Sequence, residues 1–172
     1  MRYPEEELLR ILKHAGVDFT CSLPCEKIKT LLEMLIVEYG RTSLPHVPLT
    51  REEEGVGISA GIALAGKRPA IFVQSSGIGN MINALLSLTA FYKLPLAVFV
   101  SQRGIYKEKI EAQFPVGRRL PGILRGAGIQ YSFIRSPEEL KVVGEKLGET
   151  YRRNKIHVFL LSPAIWEKSK VP

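Results

Sequence analysis

Cysteine is scarce in this sequence: Cys21 and Cys25 are the only two among 172 residues. Two cannot build a disulfide scaffold, no second Cys/His pair completes a zinc site, and the C-x-x-x-C spacing misses the C-x-x-C redox pattern. Both are expected to be free thiols in a reducing compartment. Long apolar runs are missing as well. None approaches the roughly 20 residues of a membrane-spanning helix, so no membrane association is expected. The stretch from Met1 to Glu7 is acidic and polar, unlike a secretory or transit signal, and the expected location is cytoplasmic. There is also no basic block. The formal charge is +7, but Arg118-Arg119 and Arg152-Arg153 are short pairs, and aromatics do not alternate with basic residues as a base-stacking platform would require. A solvated basic surface, or attraction of a small, multiply charged anion, is expected in place of nucleic acid binding.

What is present is an alternation of helical and strand patterns. Glu5 to Ala15 carries Leu8, Leu9, Ile11 and Leu12 on one helical face. Val17 to Leu23 reads as a strand stopped by Pro24, and Cys25 to Tyr39 as a second helix. His46 to Leu49 is short and extended. Thr50 is the expected N-cap of a third helix, with Glu53 completing a capping box. Pro69 to Gln74 and Leu94 to Val100 are continuous apolar runs, as in strands covered on both faces. A helix from Met81 to Ala90 lies between them. Residues 101–117 read as a polar loop, followed by a short helix from Arg119 to Gly126. Gln130 to Ile134, a helix from Ser136 to about Arg153, and Ile156 to Leu161 complete the series. The tail from Pro163 reads as loosely held.

Six strands alternating with helices predict an α/β fold: a three-layer α/β/α sandwich around a mostly parallel six-stranded sheet. With no repeat, linker or low-complexity tract, residues 1–172 read as one domain. Ligands of such sheets bind beyond the carboxyl ends of the strands. Attention therefore falls on loops 22–26, 50–54, 75–80 and 101–118.

Two stretches there carry chemistry. Ser75-Ser76-Gly77-Ile78-Gly79-Asn80 follows a buried strand and opens a helix, where free N–H groups can hold an anion or a polar ring edge. It is neither Walker A nor G-x-G-x-x-G, and a tight turn needing small residues explains it equally well. Thr50 to Ala63 begins with Glu52, Glu53 and Glu54. Complementing the helix dipole suffices for Glu53 and Glu54. It does not explain Gly55, Gly57 and Gly61, each of which weakens a helix by about 1 kcal/mol relative to alanine. An acid followed by small residues suggests a carboxylate at a tight subunit or cofactor interface.

Glu52 followed by Gly55-x-Gly57-x-x-Ala60-Gly61, then a buried strand and Ser76-Gly77-x-Gly79-Asn80, resembles the pyrimidine-binding domain of thiamine diphosphate enzymes. Ser22-Leu23-Pro24-Cys25, Gln102-Arg103-Gly104 and Ala112 to Pro115 are similar to the phosphonopyruvate and sulfopyruvate decarboxylases. The likeness covers nearly the whole chain, whose single-domain length suits an alpha-type subunit. It implies that Glu52 is the catalytic acid that hydrogen-bonds N1′ of the aminopyrimidine, in an apolar, desolvated surrounding. It implies cofactor contacts from Ser75, Ser76, Gly77, Asn80 and Gln113, and substrate contacts from Ser22, Cys25 and Arg103. The Arg would read a sulfonate or phosphonate, or is simply a solvated loop residue. His46, near Glu52 in sequence, reads as a surface histidine, with a role within the family as the alternative; His14 and His157 read as structural.

The second cofactor domain of such enzymes carries a Gly-Asp-Gly motif that holds magnesium and the diphosphate. No such motif occurs here, and Asp18 is the only aspartate. The resemblance therefore implies that no metal is held by this chain. A beta subunit would carry the diphosphate-binding domain and Mg2+, sharing thiamine diphosphate across the interface. The small anionic 2-keto acid substrate would be sulfopyruvate, converted to sulfoacetaldehyde and CO2 in coenzyme M synthesis. The alternatives are a phosphonopyruvate-type or other 2-keto acid decarboxylase subunit, or a non-catalytic subunit of the same fold. A homo-oligomer is expected when the partner is missing.

Overall fold

The computed structural model describes residues 3–41 and 44–169. Six strands, β1 Phe19–Ser22, β2 His46–Pro48, β3 Pro69–Gln74, β4 Leu96–Ser101, β5 Gln130–Ile134 and β6 Ile156–Leu161, form one sheet in the order β2-β1-β3-β4-β6-β5. Every pairing is parallel. The expected sandwich is present, and its sheet is wholly parallel.

The helices are α1 Pro4–His14, α2 Lys29–Arg41, α3 Glu52–Leu64, α4 Gly77–Ala84, α5 Phe114–Gly126 and α6 Leu140–Arg153. Side chains alternate across a strand, and here the alternation feeds two separate cores. Ala70, Phe72, Phe99 and Phe159 pack with Leu8 and Leu12 of α1, Leu31 and Leu35 of α2, and Leu147 of α6. Ile71, Val73, Val98 and Val158 pack with Val56 of α3, Met81 of α4, and Leu120 and Leu124 of α5. Phe72, Phe99 and Phe159 are in register on adjacent strands and stack at centroid separations of 4.8 and 4.7 Å. No helix among the described residues is long and apolar enough to cross a membrane.

Four local expectations are corrected. Helix α3 starts at Glu52 with Arg51 as its N-cap, one residue later than expected. The closing acid is Glu54, whose carboxylate accepts from the Thr50 hydroxyl (2.7 Å) and from the Thr50 and Arg51 N–H groups (3.3 and 3.2 Å). Helix α5 begins at Phe114 instead of Arg119. Pro115 suits a first turn, and Pro121 costs only the bond it would have given to Gly117 O. The region from Pro163 to Ser169 is a 3-10 segment, with Ile165 and Trp166 buried in the core. The helix opened by Gly77 continues as a π-helical turn through Leu85–Ala90.

His157 is structural, as expected. It lies in β6, buried, with Nε2 2.9 Å from the Ser132 hydroxyl of β5. Burial, reinforced by the nearby Lys146 ammonium, pushes its imidazole down to about 4. An unfolded histidine titrates near about 6.5, so the unfolded chain binds the proton first. The resulting stability is complete above that value and is lost as pH falls towards 4. The melting temperature is expected to decline across this window, and a His157→Gln variant to show a shallower decline when both are followed by calorimetry.

Candidate active site

The strand order reverses between β1 and β3: the chain leaves β1 towards β2, and leaves β3 towards β4. The carboxyl ends of these strands are the expected ligand position, and the starts of α3 and α4 bring Glu52, Gly77 and Asn80 together.

Glu52 is the first residue of α3 and only 7% exposed. Its neighbours point elsewhere: Glu53 pairs with Arg51 at 2.6 Å, and Glu54 closes the cap. That leaves Glu52 turned inward against the start of α4. Its Oε2 accepts from Asn80 Nδ2 at 3.0 Å. Its other oxygen lies over Gly77, where an added Cβ would sit 2.6 Å from Oε1 and 2.8 Å from Cδ. Gly77 is thus fixed by contact with the carboxylate. Gly77→Ala is expected to displace Glu52 and break its bond to Asn80, which a crystal structure of the variant would show directly. Gly55 is needed for packing, since a Cβ there would meet Leu49 at 2.6 Å, whereas Gly57 and Gly61 face open space.

The other candidates divide. Ser76, the N-cap of α4, accepts from Gln74 Nε2 at 2.8 Å and is half-buried. Ser75 is fully buried, and its groups are committed: the hydroxyl donates to Ser101 O (3.2 Å) and accepts from Arg103 N (2.8 Å), while its N–H bonds Ser101 O. Ser75 braces the ends of β3 and β4 and has no side-chain donor left for a ligand. Gln113 caps α5; its Oε1 is buried without a hydrogen-bond partner.

A second cluster forms beside the first. Arg103 donates to Glu108 through Nε (2.7 Å) and Nη2 (2.9 Å), and both side chains are buried. Cys25 is buried as well, and the Arg103 guanidinium is raised above its ordinary value chiefly by Glu108. Glu108 further accepts from the N–H groups of Gly104, Lys109 and Ile110. The guanidinium, followed by these backbone donors, holds the Glu108 carboxyl down at about 2. Gly117 lets α5 pack onto this loop, since a Cβ there would overlap Arg103 O. Arg103 is therefore neutralised in place and is not a solvated loop residue. Ser22 is also committed, with Oγ 3.1 Å from His46 Nε2. His46 is 7% exposed, which corrects its reading as a surface residue. Sequence reasoning missed Glu108 and the His46 contact.

Residues 5–127 match the family described as thiamine pyrophosphate enzyme, N-terminal TPP binding domain, and the chain belongs to that family. Among curated relatives, sulfopyruvate decarboxylase of Methanosarcina acetivorans is 46% identical, covering 97% of this chain but only 42% of its own length. Sulfopyruvate decarboxylase subunit alpha of Methanothermobacter thermautotrophicus is 42% identical, covering 90% of this chain and 93% of its own. Among solved structures, 2-oxoglutarate:ferredoxin oxidoreductase from Magnetococcus marinus superposes with a TM-score of 0.77 at 12% identity, covering 96% of this chain and 29% of that one. This last likeness is one of fold.

Proposed function

We propose that this chain, one pyrimidine-binding domain over residues 1–172, is the alpha subunit of a two-chain thiamine diphosphate-dependent decarboxylase. The reaction proposed is sulfopyruvate to sulfoacetaldehyde and CO2, a step of coenzyme M synthesis in the cytoplasm. The observation that carries the reading is Glu52, a buried carboxylate at the start of α3, held on one side by Asn80 of α4.

The residues present suit the aminopyrimidine half of the cofactor. A buried carboxylate can share a proton with ring nitrogen N1′. Gln113 Oε1, buried and unpartnered, is an open acceptor for an amino group. Ser76, Gly77 and Asn80 would frame the same ring, with Ser75 bracing the turn beneath them. Thiamine diphosphate, when bound, supplies the electron sink that decarboxylation of a 2-keto acid requires. Glu52 would hold the proton at N1′.

The diphosphate half is proposed to lie on another chain. Asp18 accepts from Arg68 N–H at the opposite end of β1, and among the described residues no group of three or more His, Cys, Asp or Glu could hold a metal ion. Mg2+ and the diphosphate are assigned to a beta subunit. Two features of the relatives support such a partner. One of similar length is named subunit alpha, and another carries the matching region within a much longer chain. The net charge of +7 suits a dianionic substrate.

The test is decarboxylation of sulfopyruvate by this chain with thiamine diphosphate and Mg2+, with and without the candidate beta subunit. Turnover is expected only in the mixture. A mixture that binds cofactor but prefers phosphonopyruvate would move the substrate; a mixture that binds no cofactor would end the reading.

A further inference from the structure

Thr20, Ser22 and His46 form a buried hydrogen-bonded chain that runs from the first residue of β2, His46, to the carboxyl end of β1 at Ser22. Thr20 Oγ1 lies 3.2 Å from Pro45 O and 2.9 Å from His46 Nδ1, and Ser22 Oγ lies 3.1 Å from His46 Nε2. The three side chains are 0%, 4% and 7% exposed for Thr20, Ser22 and His46 respectively. Strand register fixes the set, since Thr20 is paired with His46 and Ser22 with Pro48.

Proton counting orients the chain. A carbonyl oxygen only accepts, and a threonine hydroxyl has one proton. Pro45 O also accepts from Thr20 N–H at 2.9 Å, so it is satisfied either way; but if Thr20 gave its hydroxyl proton to Nδ1, the two oxygens would face each other at 3.2 Å with no proton between them, a repulsive contact. With the proton on Pro45 O, Thr20 accepts from Nδ1–H. Nε2 is then the bare nitrogen and takes the Ser22 proton. Burial disfavours a second proton on the ring, which lowers the His46 imidazole below its ordinary value. A neutral ring in this tautomer satisfies every atom of the chain.

We propose that His46 is a positioning residue: locked by Thr20 as the Nδ1–H tautomer, it draws the Ser22 proton inward. Ser22 then meets any ligand at these strand ends as an acceptor only. It cannot donate to a carboxylate or sulfonate oxygen, so the carboxyl end of β1 turns the substrate's anionic groups away and sets which way round the substrate lies. The tautomer is a property of the chain alone; the effect on substrate rests on the proposed decarboxylase reading.

The two parts are tested separately. In 15N-histidine-labelled protein, three imidazoles give resolvable signals, and a His46→Gln variant identifies the one of interest. Protonated Nδ1 with bare Nε2 is expected at neutral pH. Protonated Nε2, or a doubly protonated ring, overturns the lock without reference to any activity. Thr20→Val removes the selecting oxygen at nearly constant shape and is expected to shift His46 towards the Nε2–H tautomer, freeing the Ser22 proton. Thr20→Ser, which keeps the hydroxyl, should retain the wild-type spectrum. In the reconstituted complex, Thr20→Val is expected to lower KM and kcat for sulfopyruvate together, several-fold, as the substrate also binds the wrong way round. A raised or unchanged KM alongside the altered spectrum would overturn the steering role. A purely structural histidine would move stability and leave KM where it was.

Discussion

Glu52→Gln is expected to cut kcat/KM of the proposed two-chain decarboxylase by about 100-fold or more, the scale of a lost proton-sharing group in catalysis. The substitution preserves volume and leaves a carbonyl oxygen able to accept from Asn80, whose bond to Oε2 is 3.0 Å. The fold and the partner interface should therefore survive, as circular dichroism and gel filtration of the mixture would show. The direction of the loss is informative. A group that matters only for shape would be rescued by glutamine; one that exchanges a proton would not. Retention of full activity with a correctly assembled complex would remove Glu52 from the chemistry. It would leave a non-catalytic subunit as the reading.

Glu108→Ala is expected to have the largest effect on stability, destabilising the chain by about 3 kcal/mol, because it strands a buried guanidinium without its partner. The carboxylate joins Arg103 and three backbone N–H groups of the 104–110 loop. Its removal therefore costs a fastening as well as a charge. Chemical denaturation would give the loss directly. The same group predicts an acid limit. Its carboxyl is held at about 2 against an ordinary 4.5, so the folded chain takes up its proton later than the unfolded one. This contribution is intact above pH 4.5 and is lost as pH falls from there towards 2. Substituting Arg103 alone removes the main cause of this depression, so the variant, though less stable at neutral pH, should lose stability less steeply across the same window.

The parts of the fold that were legible in the sequence are those governed by short-range pattern. β3, β4 and β6 are apolar runs because helices cover both faces of the sheet, and such runs show in sequence whatever the tertiary detail. Glu52 was legible because an acid before closely spaced glycines is costly without a packing reason. Gly55 and Gly77 supply that reason against Leu49 and the carboxylate itself. The cap of α3 was misplaced by one residue because Thr50-x-x-Glu53 and Arg51-x-x-Glu54 present the same spacing. Only the packing of Glu52 against α4 chooses between them.

What was illegible arises between loops. Arg103 and Glu108 are five residues apart in a segment without periodicity. His46 gives no sign of burial in a three-residue strand. Its partners Thr20 and Ser22 become neighbours only through the β1–β2 register. The segment after Pro163 looked like a tail because its two anchors, Ile165 and Trp166, are too few to form a pattern.

The strand order also has a consequence for biosynthesis. β6 is the last strand made, yet it lies between β4 and β5. Until residues 156–161 leave the ribosome, β4 and β5 each present an unpaired edge, the feature that invites pairing between chains. A nascent chain must shelter four paired strands, β2-β1-β3-β4, with the β4 edge open and β5 unattached, until β6 joins them. Fragments that stop short of Ile156 are accordingly expected to collect in inclusion bodies, and chaperone demand to be set by the final few strand residues instead of by the overall length.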